Sequence, residues 1–176
     1  MLFKCPLGGA QILCLKKPLF SYFFIIDFET TSEVSPQEIV DIACLRFNTS
    51  SREVEDSFRQ YVRPKLRPKL KRGTLMNDEN ITQEVIDASP YFNQAWELFT
   101  KWYKGSKGSH KAAFLTIDNW DISTYFKAYN FFPGTLEFMM TELGLPFQGK
   151  INNAQDDARN AAAVVRRMLR EDSFSI

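Results

Sequence analysis

Ile25-Ile26-Asp27-Phe28-Glu29-Thr30-Thr31 is the stretch on which the reading of this chain turns. The apolar run Tyr22 to Ile26 has strand character, and two acids follow it directly. Side chains alternate faces along a strand, so Asp27 and Glu29 project the same way. Adjacent carboxylates leaving a buried strand repel one another and are costly to desolvate. A divalent cation between them relieves both problems. Mg²⁺ and Mn²⁺ take oxygen ligands, commonly a few carboxylates together with phosphate oxygens of a substrate. On this motif alone, a strand end running into an acidic loop is an equally open reading.

The rest of the chain narrows the field. Its 176 residues, 44% of them apolar, suit one domain with a real core. Lys and Arg number 22 against 21 Asp and Glu, so any nucleic-acid partner must be met by local patches rather than a global field. Cys5, Cys14 and Cys44 are too widely spaced for a zinc pattern or a disulfide framework, and buried thiols in a reducing compartment are expected. No apolar run is long enough to span a bilayer. Residues 1–19 read as an N-terminal extension. Lys4, Pro6, Gly8-Gly9, Gln11 and Lys16-Lys17 break the apolar run a secretory signal needs. The domain is expected over 20–171, followed by a tail at 172–176, with an intracellular location, cytoplasmic or nuclear.

Glu38 to Phe47 alternates as a second strand, and Asn48-Thr49-Ser50-Ser51 is a turn. Val54 to Val62 then returns as a third strand, antiparallel to the second. Arg63 to Gly73 carries six cations and two prolines; a solvated loop and a phosphate-contacting arm are both open readings. Ile81 to Ala88 is helical. Ser89 is expected to cap a further helix with Pro90 in its first position, presenting Phe92, Ala95, Trp96, Phe99, Trp102 and Tyr103 to the core. Gly105 to Gly108 ends that helix, and Ala112 to Ile117 is a fourth strand. A plain cap for the helix that follows is one open reading of Asp118 or Asp121. Gly134 to Leu143 is another helix, closed by Gly144. A last helix opens around Asn153 to Asp157 and runs to about Arg170, with an apolar stripe of Ala161, Val164, Val165, Met168 and Leu169.

Taken together, Asp-x-Glu after the first strand, Trp120-Asp121-Ile122 after the fourth, and Asp156-Asp157-Ala158-Arg159-Asn160 opening the last helix form a pattern. With Phe58 to Pro64, Ile81-Thr82-Gln83, Leu143 to Phe147 and Gly149, it resembles the DEDD (DnaQ-like) 3′–5′ exonuclease superfamily. The likeness is greatest to the histidine subclass and its histone-mRNA and small-interfering-RNA branch, over about Phe20 to Glu171. The resemblance implies an α/β, RNase H-like fold: a three-strand antiparallel meander plus a parallel strand, flanked by helices. It implies that Asp27, Glu29, Asp121 and Asp157 hold two divalent ions, Mg²⁺ or Mn²⁺. Single-stranded RNA or DNA would be cut from its 3′ end to nucleoside 5′-monophosphates. Phe28, Thr30, Thr31, Trp120 and Arg159 would touch substrate, and Asp156 would cap the last helix while Asp157 turns inward.

The chain departs from the pattern twice. Where the subclass places a general-base histidine, five positions before the last acid, stands Asn152, whose amide cannot take a proton near neutral pH. The only histidine, His110, lies in a Gly/Ser/Lys loop and is expected at the surface, and no tyrosine stands one turn before Asp157. The stretch between Asp121 and Leu136 is also shorter than in the family, with Asn130 to Gly134 bridging the gap. The expected function is therefore a metal-dependent exonuclease weakened by loss of the base. The alternative is an exonuclease-like module that binds nucleic acid or a protein without cutting.

Overall fold

The computed structural model describes residues 19–31, 36–69, 81–116 and 135–170. Within them four strands, β1 (Tyr22–Thr30), β2 (Ile39–Asn48), β3 (Glu53–Tyr61) and β4 (Ala112–Thr116), form one sheet in the order β3-β2-β1-β4. β1 and β2 pair antiparallel, as do β2 and β3, while β4 lies parallel to β1. Four described helices accompany them: α1 (Gln83–Ala88), α2 (Phe92–Lys107), α3 (Leu136–Glu142) and α4 (Ala154–Arg170). This is the mixed sheet with flanking helices that the sequence leads one to expect.

The two faces of β1 belong to two cores. Phe23 and Ile25 meet Leu45, Phe47 and the α4 residues Ala158, Ala161, Val164, Val165 and Met168. Phe24 and Ile26 meet Ile42, Cys44, Val62 and the α2 residues Ala95 and Phe99. Burying Phe24 fully removes enough apolar surface to contribute about 2–3 kcal/mol. Ala158, Ala161 and Ala162 on the inner side of α4 are buried against this core. Burial also pushes the Cys44 thiol up, which makes it an inert core residue.

Several boundaries differ from expectation. β1 carries on past its apolar run to Thr30, so both acids stand on the strand as their alternation requires; Asp27, Phe28 and Glu29 pair with Ala43, Ile42 and Asp41. β2 is buried on both faces over most of its length, since it has neighbours on either side in the sheet and helices above and below. Ser89 ends α1 rather than starting α2; the N-cap of α2 is Tyr91, and Gln94 reaches back to the Tyr91 amide at 3.3 Å. Phe92 and Trp96 are exposed rather than core, stacked on one another with centroids 5.8 Å apart. Gly108 closes α2, while Gly105 sits inside it. Cys5 and Cys14, the 117–134 stretch with its expected helix, and both terminal segments lie outside the described residues.

Candidate active site

Asp27 and Glu29 lie on the α4 side of β1, in line with Phe23 and Ile25. A register shift in the pairing with β2 falls between Glu29 and Thr30. Such irregularities re-aim side chains beside functional sites. From the other direction comes Asp157, in the first turn of α4. The apolar stripe of that helix is Ala161, Val164, Val165 and Met168. Carried back one turn, it lands on Asp157 and Ala158, so the fourth helical residue faces the sheet. Carboxylate oxygens of Asp27, Glu29 and Asp157 accordingly all lie within 4.8 Å of one another.

The first turn of α4 is held by several contacts. Asn153 is its N-cap: Oδ1 accepts the Asp156 amide at 3.1 Å and its carbonyl accepts the Asp157 amide at 2.8 Å. The cap expected at Asp156 is therefore corrected to Asn153, which stands just before the first helical residue, as a cap must. Asp156 instead accepts the Lys150 amide at 3.1 Å and pairs with Arg159 at 3.0 Å. Asn160, buried, accepts the Gln148 amide at 2.9 Å and donates to the Gln148 and Asp156 carbonyls at 2.8 and 2.9 Å. Between them runs Gly149, with φ +83°, where an added Cβ would strike the Asp156 carboxyl group.

A second clamp was not foreseen. Asp41 is fully buried on β2, opposite Glu29 in the ladder. Arg59 of β3 donates to Asp41 Oδ2 through Nε at 3.0 Å and Nη2 at 2.7 Å, and through Nη1 to Gln155 at 3.3 Å. The Arg59 guanidinium also covers the Tyr61 ring at 4.7 Å. β3 is thereby tied to the first turn of α4, next to Asp157. The sequence carried a signal: Asp41 interrupts a strand otherwise apolar enough for burial, and a buried acid needs a cation.

The electrostatics of the cluster are set by burial and by negative neighbours. The Asp157 carboxyl is pushed up to about 6, first by burial and then by the nearby charges of Glu137 and Asp156, against the stabilising amides of Asn152 and Asn153. Acids this close, with one driven toward protonation by burial and negative neighbours, are suited to a hard divalent cation. The donor set is all oxygen, which fits Mg²⁺ or Mn²⁺. Glu137 also lines a cavity of about 710 Å³ with Met140, Leu145, Phe147, Lys150 and Ile151.

The other expected site residues are distributed as follows. Asp121 and Trp120 lie outside the described residues. Asn152 is exposed, with φ +60°, immediately before the cap of α4. Phe28 packs at the edge of the core under α2, on the opposite side of the sheet from the acids. Thr30 is half-buried at the end of β1. Thr31 is buried, its amide donating to the Glu38 carbonyl at 2.9 Å and its hydroxyl accepting the Glu38 amide at 3.3 Å. Arg159 is exposed and pairs with Asp156 rather than with the three clustered acids. His110 is exposed against Tyr22, at the opposite end of β1. At ~3.3 Å per residue it is roughly 16 Å along the strand from Asp27.

A mixed sheet whose first strand brings two acids to the opening turn of the last helix has the RNase H-like architecture of nucleases. Residues 24–129 match the RNase T family model, described as exonuclease, and the chain belongs to that family. Asp157 lies beyond the matched span, so its place beside Asp27 and Glu29 is a separate geometric observation. The chain is 30% identical to human 3′-5′ exoribonuclease 1 over 203 residues, covering 92% of this chain and 57% of that protein. It is 28% identical to the rat protein of the same name over 187 residues, covering 86% and 54%. The chain thus spans little more than half the length of these relatives. A solved 3′-exonuclease in 3′-end-specific recognition of the histone mRNA stem-loop superposes with a TM-score of 0.79 at 27% identity, over 88% of this chain and 65% of that one. The nuclease domain of 3′hExo, a DEDDh family member bound to rAMP, gives 0.77 at 28%, over 87% and 94%.

Proposed function

We propose that this chain is a divalent-metal-dependent 3′–5′ exonuclease acting on single-stranded RNA, or on DNA, and releasing nucleoside 5′-monophosphates. The observation that carries the reading is the meeting of Asp27, Glu29 and Asp157 within 4.8 Å in a member of an exonuclease family. Asp121 is proposed as the fourth ligand, and two ions, Mg²⁺ or Mn²⁺, as the complement of the site. When bound, such cations lower the pKa of a water and stabilise charge developing on phosphorus and on the leaving 3′ oxygen. The chain's own part is to hold Asp27 and Glu29 on a paired strand and Asp157 on a capped helix turn. Their geometry is then set before substrate arrives.

Asn152 occupies the position of the subclass histidine. Its amide can orient a water but cannot accept its proton, so turnover is slower than with a base by about 10²- to 10⁴-fold. That substitution favours one second reading, a lapsed relative that binds RNA ends without cutting. The proposed partners are 3′ ends of single strands, inside the cell. Among the described residues no helix is long and apolar enough to cross a membrane.

The test is digestion of a 5′-labelled single-stranded RNA with Mn²⁺, with and without chelator. A ladder shortened from the 3′ end, abolished by chelator and by Asp157→Asn, is expected. Intact RNA with Mn²⁺ would reject catalysis and leave the binding module.

A further inference from the structure

We propose that the groove between the Arg63–Lys69 loop and the start of α2 binds the single strand upstream of its 3′ terminal nucleotide, gripping phosphates with Arg63 and Lys65 and stacking a base on Tyr91. The proposal rests on the exonuclease reading and extends it to the path of the substrate.

The groove measures about 650 Å³ and is lined by Arg63, Lys65, Pro68, Tyr91, Asn93 and Gln94 among others. Tyr91 is 39% exposed. The Arg63 guanidinium lies 5.7 Å and the Lys65 ammonium 5.3 Å from its ring centroid. Both cations sit over the ring, so the groove holds the two elements that single-strand sites combine, and a base stacks on Tyr91 once a phosphate draws a cation off its face. Arg67 and Lys69 extend the positive charge along the loop. Asp87 approaches Arg63 only at 4.0 Å in an exposed pair, a weak contact that a phosphate can displace.

The loop is preformed. The Glu38 carboxylate accepts the backbone amides of Lys65, Leu66 and Arg67 at 2.7, 2.8 and 2.9 Å. A Pro- and Lys-rich segment is thereby fixed before any ligand arrives, which reduces the ordering cost of binding. Glu38 is also the residue bonded to Thr31, two positions beyond Glu29, so one residue ties the end of the acidic strand to the basic loop. The ladder gives the same proximity: Glu29 pairs with Asp41 and Asp41 with Tyr61. Tyr61 is therefore about 10 Å from Glu29, two strand spacings away, and Arg63 follows two residues later. A strand leaving the acids and turning over this end of the sheet toward α2 reaches the cations next. An acidic protein segment would also meet the charge, but the exposed tyrosine beside it favours a nucleobase.

The experiment measures binding of the full chain to labelled oligouridylates in chelator, one just long enough to fill the acid site and one several nucleotides longer. The combined change Arg63→Gln and Lys65→Gln is expected to weaken the longer strand about tenfold, leave the shorter one unchanged, and reduce the slope of log K against log salt by about 1.4, two phosphates at ~0.7 each. Tyr91→Leu is expected to weaken the longer strand about tenfold with the slope unchanged. Should the double variant not fold, Lys65→Gln alone, at an exposed position, carries the test with a slope change of about 0.7. An unaltered slope, or equal loss for both lengths in a folded variant, overturns the groove. So does poly-glutamate competing as well as the oligonucleotide, which would assign the surface to an acidic protein. Wild-type chain that binds by length but fails to cut would remove only the exonuclease reading; cutting that ignores these variants would remove only the groove.

Discussion

The two faces of β1 share one backbone and have opposite fates. On the α2 side, Phe24 and Ile26 continue into Phe28, and aromatic rings close over them: Trp102 lies 5.6 Å and Tyr103 4.7 Å from Phe24. On the α4 side, Phe23 and Ile25 give way to Asp27 and Glu29, beneath a helix whose inner residues are mostly small. One face holds the strand in place with large side chains. The other brings a helix turn close and fills the remaining space with negative charge. The difference teaches that the site depends on stability supplied from the far side of the same strand: acids that repel one another stay on a regular strand because Phe24 and Ile26 cannot leave the core behind it.

The comparison can be broken from either side. The largest effect is expected from Asp27→Ala with Glu29→Ala, which should reduce Mn²⁺-dependent RNA cleavage by at least about 10³-fold while the melting temperature of the metal-free protein stays the same or rises. Phe24→Ala should do the reverse. It should cost about 3–5 kcal/mol in denaturant unfolding and leave cleavage per folded molecule nearly intact. If both variants lose stability alike, the division of labour between the faces is wrong.

Asn152→His sharpens the chemical side, with an expected gain of about 10²-fold in cleavage rate. The left-handed backbone at this position is one that His tolerates better than most residues. Unchanged cleavage with metal still bound would place the deficit in the substrate channel rather than in the base. Gly149→Ala should cost about 1–3 kcal/mol, because its φ is positive and the new methyl meets Asp156.

The smallest effect is a pH dependence. The folded Asp157 carboxyl is raised to about 6, so the native state binds more protons than the unfolded state between its ordinary value and 6. The contribution of this group to stability therefore falls as pH rises through that window. Metal-free protein is expected to melt a few degrees higher in Asp157→Asn than in wild type at pH 8 and to show no difference at pH 4. Added Mn²⁺ should raise the wild-type melting temperature more at pH 8 than at pH 5.

Much of this was legible in the sequence because period and charge coincide there. Alternation puts Asp27 and Glu29 on one face, and the stripe Ala161, Val164, Val165, Met168 extrapolates to Asp157. What was not legible depended on contacts distant in sequence. Nothing local pairs Arg59 with Asp41, 18 positions away, or with Gln155, 96 away. The three amides that Glu38 gathers from residues 65–67 are equally remote. Helical spacing alone made Phe92 and Trp96 look like core, yet they stay partly exposed, stacked on one another. Ser89 had the right chemistry for a cap but stood two residues before the residue that plays that part.

Titration calorimetry with Mn²⁺ tests the cation site most directly. Wild-type protein is expected to release or absorb heat saturably at neutral pH, and Asp27→Ala with Glu29→Ala, and separately Asp157→Asn, to lose that heat. Equal heats in wild type and both variants would mean that the three clustered acids hold no cation.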